Sequence, residues 1–246
     1  MKMRTVIITG SGSGIGREVA ILMSKLKQFE NIALIGRNRA GISETVSAMD
    51  CCGVNVEIFE RDLSDFAHAG EVISEIYSKF NSIDCLINIA GYTDPQPTVL
   101  TTAENLKETY SVNVFSPFML IRESVRYMKR TGGKILNVAS TAGMTPRPGW
   151  ISYSSSKAAV ISMSQTLSEE LAEYGIKVYC VSPGRCATKL RKKLAPNEDP
   201  STIMQPEEVA EIICRLVSED ENCLDGQNIV IRKQIAVKTV GGGMNV

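Results

Sequence analysis

Short apolar runs rich in β-branched residues recur along this chain, separated by longer amphipathic stretches. The runs are Thr5 to Thr9, Asn31 to Ile35, Val54 to Phe59, Ile83 to Ile89, Lys134 to Ala139, Lys177 to Val181 and Asn228 to Ile231. This alternation is the βαβ signature of a sheet buried on both faces. It predicts an α/β fold: a doubly wound parallel sheet of about seven strands with helices on both faces. The intervening stretches Gly16 to Lys25, Ile42 to Met49, Ala67 to Phe80, Ala103 to Lys129, Tyr153 to Tyr174 and Pro206 to Ser218 read as helices. Pro206 sits where a first helical turn tolerates proline. No linker or repeat divides residues 1–246, so a single domain is expected, with a polar insert at 188–205 and a tail at 234–246 that is either an extra strand or disordered.

Composition narrows the function classes. The 27 basic side chains balance the 27 acidic ones, which gives no charge-driven reason to bind nucleic acid or a membrane surface. The seven cysteines form no C-x-x-C pair and His68 is the sole histidine, so no metal site is expected and the thiols read as reduced. The apolar run near the N-terminus is short, and no stretch of about 18 apolar residues follows. A cytoplasmic protein is the expectation.

The first strand runs directly into Thr9-Gly10-Ser11-Gly12-Ser13-Gly14-Ile15-Gly16, and a helix follows. Glycines at such a turn let the backbone approach a pyrophosphate, and free N–H groups at the helix start bind its charge. A NAD site usually carries an acid about twenty residues farther on, at the end of the second strand. Here Gly36-Arg37-Asn38 stands there instead. An arginine fork suits a 2′-phosphate, so NADP(H) is expected over NAD(H), with Arg17 as a second positive charge. Tyr153 and Lys157 are four residues apart and share a helix face. A nearby ammonium lowers the cost of ionising a phenol, whose unperturbed pKa is about 10.

In this order, these features resemble the short-chain dehydrogenase/reductase family, of the kind with one Rossmann domain of about 250 residues. The resemblance covers roughly residues 4 to 232. It rests on the Thr9 to Gly16 turn, Asp62-Leu63, Asn88-Ile89-Ala90-Gly91, Asn113, Ser140, Tyr153 with Lys157, and Pro183-Gly184 followed by Thr188. It implies that Tyr153 is the general acid and base, Lys157 lowers its pKa and holds the nicotinamide ribose, Ser140 donates to the substrate oxygen, and Asn113 supports a water relay to Lys157. The cofactor would then be held by Gly10, Ser11, Ser13, Gly14, Ile15, Gly16, Arg37, Asp62, Leu63, Asn88, Ala90, Gly91, Tyr153, Lys157, Pro183, Gly184 and Thr188, with transfer of the pro-S hydride. Ile89 stands where the family often has a second asparagine.

For the substrate, Met144, Arg147 and Trp150 are expected to flank the pocket beside the 188–205 insert. The cluster Lys189, Arg191, Lys192 and Lys193 is either a solvated lid face or an attractor of an anionic substrate. The motif content looks like the 3-oxoacyl-carrier-protein reductases, whereas Arg191 to Met204 faintly resembles pentulose-phosphate reductases of surface-polysaccharide pathways. A reading of another class is a cofactor-binding regulator without turnover. The family analogy implies a homodimer or homotetramer.

Overall fold

The computed structural model describes residues 4–233, and the 234–246 tail lies outside them. Seven strands, β1 (Thr5–Thr9), β2 (Asn31–Gly36), β3 (Asn55–Glu60), β4 (Cys85–Asn88), β5 (Gly133–Val138), β6 (Ile176–Pro183) and β7 (Asn228–Ile231), form one sheet in the order β3-β2-β1-β4-β5-β6-β7. Every pairing is parallel. The chain winds outward from β1 to β3, then crosses back to β4, so a crevice opens at the carboxyl ends of β1 and β4.

The period of two along each strand sends alternate residues into two cores. Val6, Ile8, Ile32, Leu34, Ile87, Leu136 and Tyr179 face one layer, with α1 (Gly14–Leu26), α2 (Arg39–Ala48) and α8 (Pro206–Leu216) packed over them. Ile7, Ala33, Ile35, Leu86, Ile135 and Val178 face the other, under α3 (Glu71–Phe80), α5 (Ser116–Met128) and α6 (Ile151–Leu171). The expected seven-strand sheet with helices on both faces is therefore the observed one.

Two expected helices and the 188–205 insert differ from the expectation, each for a local reason. Residues 67–70 are turns rather than the start of α3. A Cβ at Gly70 would lie 2.6 Å from Glu123 Cγ, so this turn is pressed against α5. The long stretch Ala103 to Lys129 is interrupted: α4 (Ala103–Tyr110) passes through a π-helical turn at Ser111–Phe115 before α5 begins. Pro117 has no N–H for the carbonyl of Asn113 four residues earlier, which loosens the α-helical ladder at this point. The 188–205 insert contains a short helix, α7 (Lys189–Leu194), and a 3-10 turn at Pro200–Thr202. Its ends are pinned together where Ala187 N donates to Met204 O at 2.8 Å. At the other boundary, Pro206 opens α8 behind a Gln205–Glu208 capping box.

Candidate active site

A cleft of about 600 Å³ runs along the carboxyl ends of the strands. At one end the turn after β1 is shaped by close backbone contacts. Gly10 has φ 69°, and a Cβ there would meet Ala90 Cα at 2.9 Å. A Cβ on Gly16 would press on the Gly10 carbonyl, whose carbon lies 2.7 Å away, so only glycine lets α1 start this close to the turn. The first turn of α1 holds no acidic residue, and its N–H groups and positive dipole end point into the cleft. Beyond the turn, Arg37 follows β2, and Arg61 with Asp62 follows β3. Asp62 accepts from Ser64 N at 2.9 Å, and the neighbouring Leu63 carbonyl accepts from Ser116 Oγ at the head of α5.

Among the described residues lining the cleft, Arg37, Arg61, Arg147, Lys157, Arg185, Lys189 and Arg191 face a single carboxylate, Asp62. That balance and the glycine cradle fit a dinucleotide, whose phosphates need cations, dipoles and close backbone. Arg17 does not join them. Its guanidinium lies 3.8 Å from Glu18 and 3.9 Å from Glu44, drawn toward α2 and away from the cleft.

The opposite end is built by α6 and the exit of β5. Lys157 is 3% exposed, and its Nζ donates to Val138 O at 2.8 Å. The Nζ also stands 5.8 Å from the centre of the Tyr153 ring. Tyr153 is buried, with Trp150 edge-on at 6.4 Å between ring centres. Burial raises the Tyr153 phenol, while a hydrogen bond from Ser140 and the charge of Arg191 pull it down. Ser140 Oγ also accepts from Ala142 N at 3.1 Å, which fixes its backbone. Asn113 lies behind these groups. Its Oδ1 accepts from Tyr92 N at 2.8 Å, and its Nδ2 donates to Tyr92 O and to Ser156 Oγ, each at 2.9 Å.

Burial pushes Lys157 down to about 8 from its ordinary 10.5. Below pH 8 both folded and unfolded chains carry this charge, and the fold bears its desolvation cost. Between pH 8 and 10.5 only the unfolded chain binds the proton, so stability rises with pH through that window. Urea unfolding of the cofactor-free protein and of Lys157→Met should therefore diverge. The wild type should gain up to about 3 kcal/mol on the variant between pH 7 and pH 10, and parallel curves would reject the buried-ammonium account.

Most residues expected at the site line this one cleft: Gly10, Ser13, Gly14, Ile15, Gly16, Arg37, Asp62, Leu63, Ala90, Gly91, Ser140, Arg147, Trp150, Tyr153, Lys157, Pro183, Gly184 and Thr188. Four do not. Ser11 is fully buried, with its Oγ 3.3 Å from Ile35 O. Asn88 is also buried and donates to Asn137 Oδ1 at 2.9 Å, while Asn113 works from behind the wall as described. Met144 is 44% exposed, with its Sδ 2.9 Å from Asn228 Nδ2. Lys192 and Lys193 are exposed outside the cleft, Lys193 lying 5.7 Å over the Tyr92 ring. The insert contributes Lys189, Leu190, Arg191 and Leu194 instead. Tyr92, Arg185 and Cys186 also line the cleft and carried no sequence signal beyond following a glycine or proline turn.

The family model for short chain dehydrogenases matches residues 4–199. A 3-oxoacyl-[acyl-carrier-protein] reductase of Thermotoga maritima is 30% identical over 240 residues, covering 93% of this chain and 96% of that protein. Among solved structures, the 3-ketoacyl-(acyl-carrier-protein) reductase of Brucella melitensis complexed with NADH is 26% identical, with a TM-score of 0.81, covering 93% of this chain and 96% of its own. ElxO with NADP bound is likewise 26% identical, with a TM-score of 0.83 and coverage of 94% and 97%.

Proposed function

The chain belongs to the short-chain dehydrogenase family and is an oxidoreductase acting on alcohol or carbonyl groups, and on that premise we propose that it is an NADP(H)-linked reductase whose Tyr153 is the general acid. The observation that carries this reading is one continuous cleft joining the glycine turn and Arg37 at one end to Ser140, Tyr153 and Lys157 at the other. The nicotinamide cofactor, when bound, supplies the hydride for reduction or accepts it in oxidation.

The chain's own groups handle the proton and the charge. The Tyr153 O–H donates to the substrate carbonyl oxygen during reduction, and its phenolate takes the alcohol proton in the reverse direction. Ser140 Oγ–H donates to the same oxygen and stabilises the negative charge that develops there. Lys157, anchored on the Val138 carbonyl, keeps a positive charge beside the phenol and reaches the ribose. Asn113 holds Tyr92 and Ser156 in place, and its carbonyl, released by Pro117 from the α-helical pattern, is the group to carry a water relay toward Lys157. Arg37, Asp62, the α1 N-terminus and Thr188 are the residues to hold the cofactor along its length.

Arg37 carries the preference for NADP(H), because its exposed guanidinium stands where a ribose-binding acid otherwise would. With a panel of β-keto thioesters, pentulose phosphates and simple ketones, the wild type should oxidise NADPH in preference to NADH. Arg37→Glu should raise KM for NADPH about 100-fold, the loss of a charge-assisted pair of bonds, with little change for NADH. A wild-type preference for NADH overturns the assignment. The cations lining the substrate end, Arg147 and Lys189, favour an anionic group on the substrate, which suits a carrier-bound thioester or a sugar phosphate. The proposal extends to a homodimer or homotetramer working in the cytoplasm, where exposed thiols such as Cys51 and Cys52 stay reduced.

A further inference from the structure

The first turn of α6 carries Tyr153 yet has no side-chain cap. Trp150 stands at its N-cap position, and an indole has no oxygen to accept from the free N–H groups of that turn. What holds the turn comes from the side. Ser152, buried one residue before Tyr153, donates from its Oγ to Oδ1 of Asn105 on α4 at 2.6 Å. Asn105 Nδ2 in turn donates to Asp94 Oδ2 and to the Asp94 carbonyl, each at 2.9 Å. A carboxylate and a carbonyl both accept, so the amide nitrogen faces Asp94 and Oδ1 is left for the serine. A bridge between Gln96 and Trp150 ties the same loop to the residue that opens α6. Asn105 is itself fixed, its N donating to Thr102 Oγ1 at 3.1 Å and its carbonyl accepting from Thr109 Oγ1 at 2.8 Å.

The arrangement repeats the one around Asn113, farther along the same helical stretch. Asn113 joins Tyr92 to Ser156, the residue before Lys157, and Asn105 joins Asp94 to Ser152, the residue before Tyr153. The two asparagines clip the β4 exit to α6 at points about one helical turn apart. We propose that Asn105 and Ser152 are positioning residues that fix the first turn of α6, and with it the Tyr153 phenol, against the substrate end of the cleft. The inference rests on the reading of Tyr153 as the proton-transfer group. Adjacent helical residues point roughly 100° apart, so Ser152 can face α4 while Tyr153 faces the cleft, and any shift of the turn moves both. Neither Asn105 nor Ser152 lines the cleft, so their effect on the reaction passes through the residue they place. A misplacement of about 1 Å is enough to cost on the order of 10²-fold in rate.

The test is a mutant cycle on turnover of the full-length protein with NADPH and the fastest substrate of the panel above. Ser152→Ala puts a good helix former of nearly the same size in the first turn, so the fold is kept. It should lower kcat about 10-fold, with KM little changed and NADPH affinity as in the wild type. Asn105→Ala should give a loss of similar size, and the double variant should lose no more than the worse single change, as for two halves of one contact. In a Tyr153→Phe background, where no phenol remains to be placed, Ser152→Ala should have no further effect; product accumulated over long incubations reads these slow rates. An equal factor in the two backgrounds, an unchanged kcat in Ser152→Ala, or a joint loss of rate and NADPH affinity overturns the proposal. Full turnover in Tyr153→Phe alone is a different failure: it defeats the catalytic reading first, and this inference with it.

Discussion

Tyr153→Phe should lower kcat by about 10²- to 10⁴-fold, the usual worth of a positioned general acid, while NADPH still binds within a few-fold of the wild-type affinity. The substitution keeps the buried ring and its edge-on contact with Trp150, and removes one hydroxyl that Ser140 serves. Folding should therefore be nearly unaffected, and the loss should fall on the chemical step. Stopped-flow hydride transfer measured beside NADPH fluorescence titration separates the two. Turnover preserved to within a few-fold would remove Tyr153 from the reaction, and lost cofactor binding would make its role structural. The same pair of measurements also excludes a regulator without turnover, which would have no rate to lose.

Gly16→Ala should be the most damaging substitution of a single hydrogen in the molecule. The added methyl would face the Gly10 carbonyl carbon at 2.7 Å and Ser11 N at 3.1 Å, both backbone atoms that no rotamer change can move. Either α1 retreats from the turn or the turn opens, and both outcomes spoil the approach of N–H groups to a pyrophosphate. NADPH affinity should fall more than about 100-fold and stability by about 2 to 4 kcal/mol, as for other overpacked sites. Gly12→Ala is the control from the same loop. Its Cβ would meet Ile42 at 3.4 Å, an ordinary contact, so it should bind and fold close to normally. Equal effects at the two glycines would mean that loop flexibility, rather than the close approach at Gly16, is what matters.

The strands were legible because burial on both faces leaves an unbroken apolar run, and Val6 to Ile8 or Ile32 to Ile35 show it without ambiguity. Strand ends moved by a residue or two where hydrogen bonding extends past the apolar run, as at Ser182 and Pro183 in β6. The short α7 was not legible: six residues are less than two turns, too few for a 3.6-residue period to declare itself. The Tyr153, Lys157 and Arg37 positions were readable because their residue types and spacing suit a chemistry that packing does not require. Ile89, where an asparagine was expected, was harder to interpret. Thr9 Oγ1 accepts from both Ile89 N at 2.9 Å and Ala90 N at 3.0 Å, so the backbone here is held by a side chain from the neighbouring strand. Glu198 accepts from Arg191, seven residues earlier across a non-repeating loop, a pairing that only the folded chain displays.

The π-helical turn at Ser111–Phe115 has a consequence for how one helical stretch serves two neighbours. One extra residue in the coil turns everything after it by roughly 100° about the axis. α4 lies against α6, whereas α5 lies against β4, β5 and α3. The two halves therefore present their apolar stripes in different directions, and the phase slip between them is what allows one continuous helical stretch to do so. Deleting one residue between Ser111 and Phe115 would bring the stripes back into phase and turn one of them toward solvent. The amide of Asn113 would swing off Tyr92 and Ser156 in the same motion. The wider coil is thus a gear change in the scaffold, and the candidate site sits on its teeth.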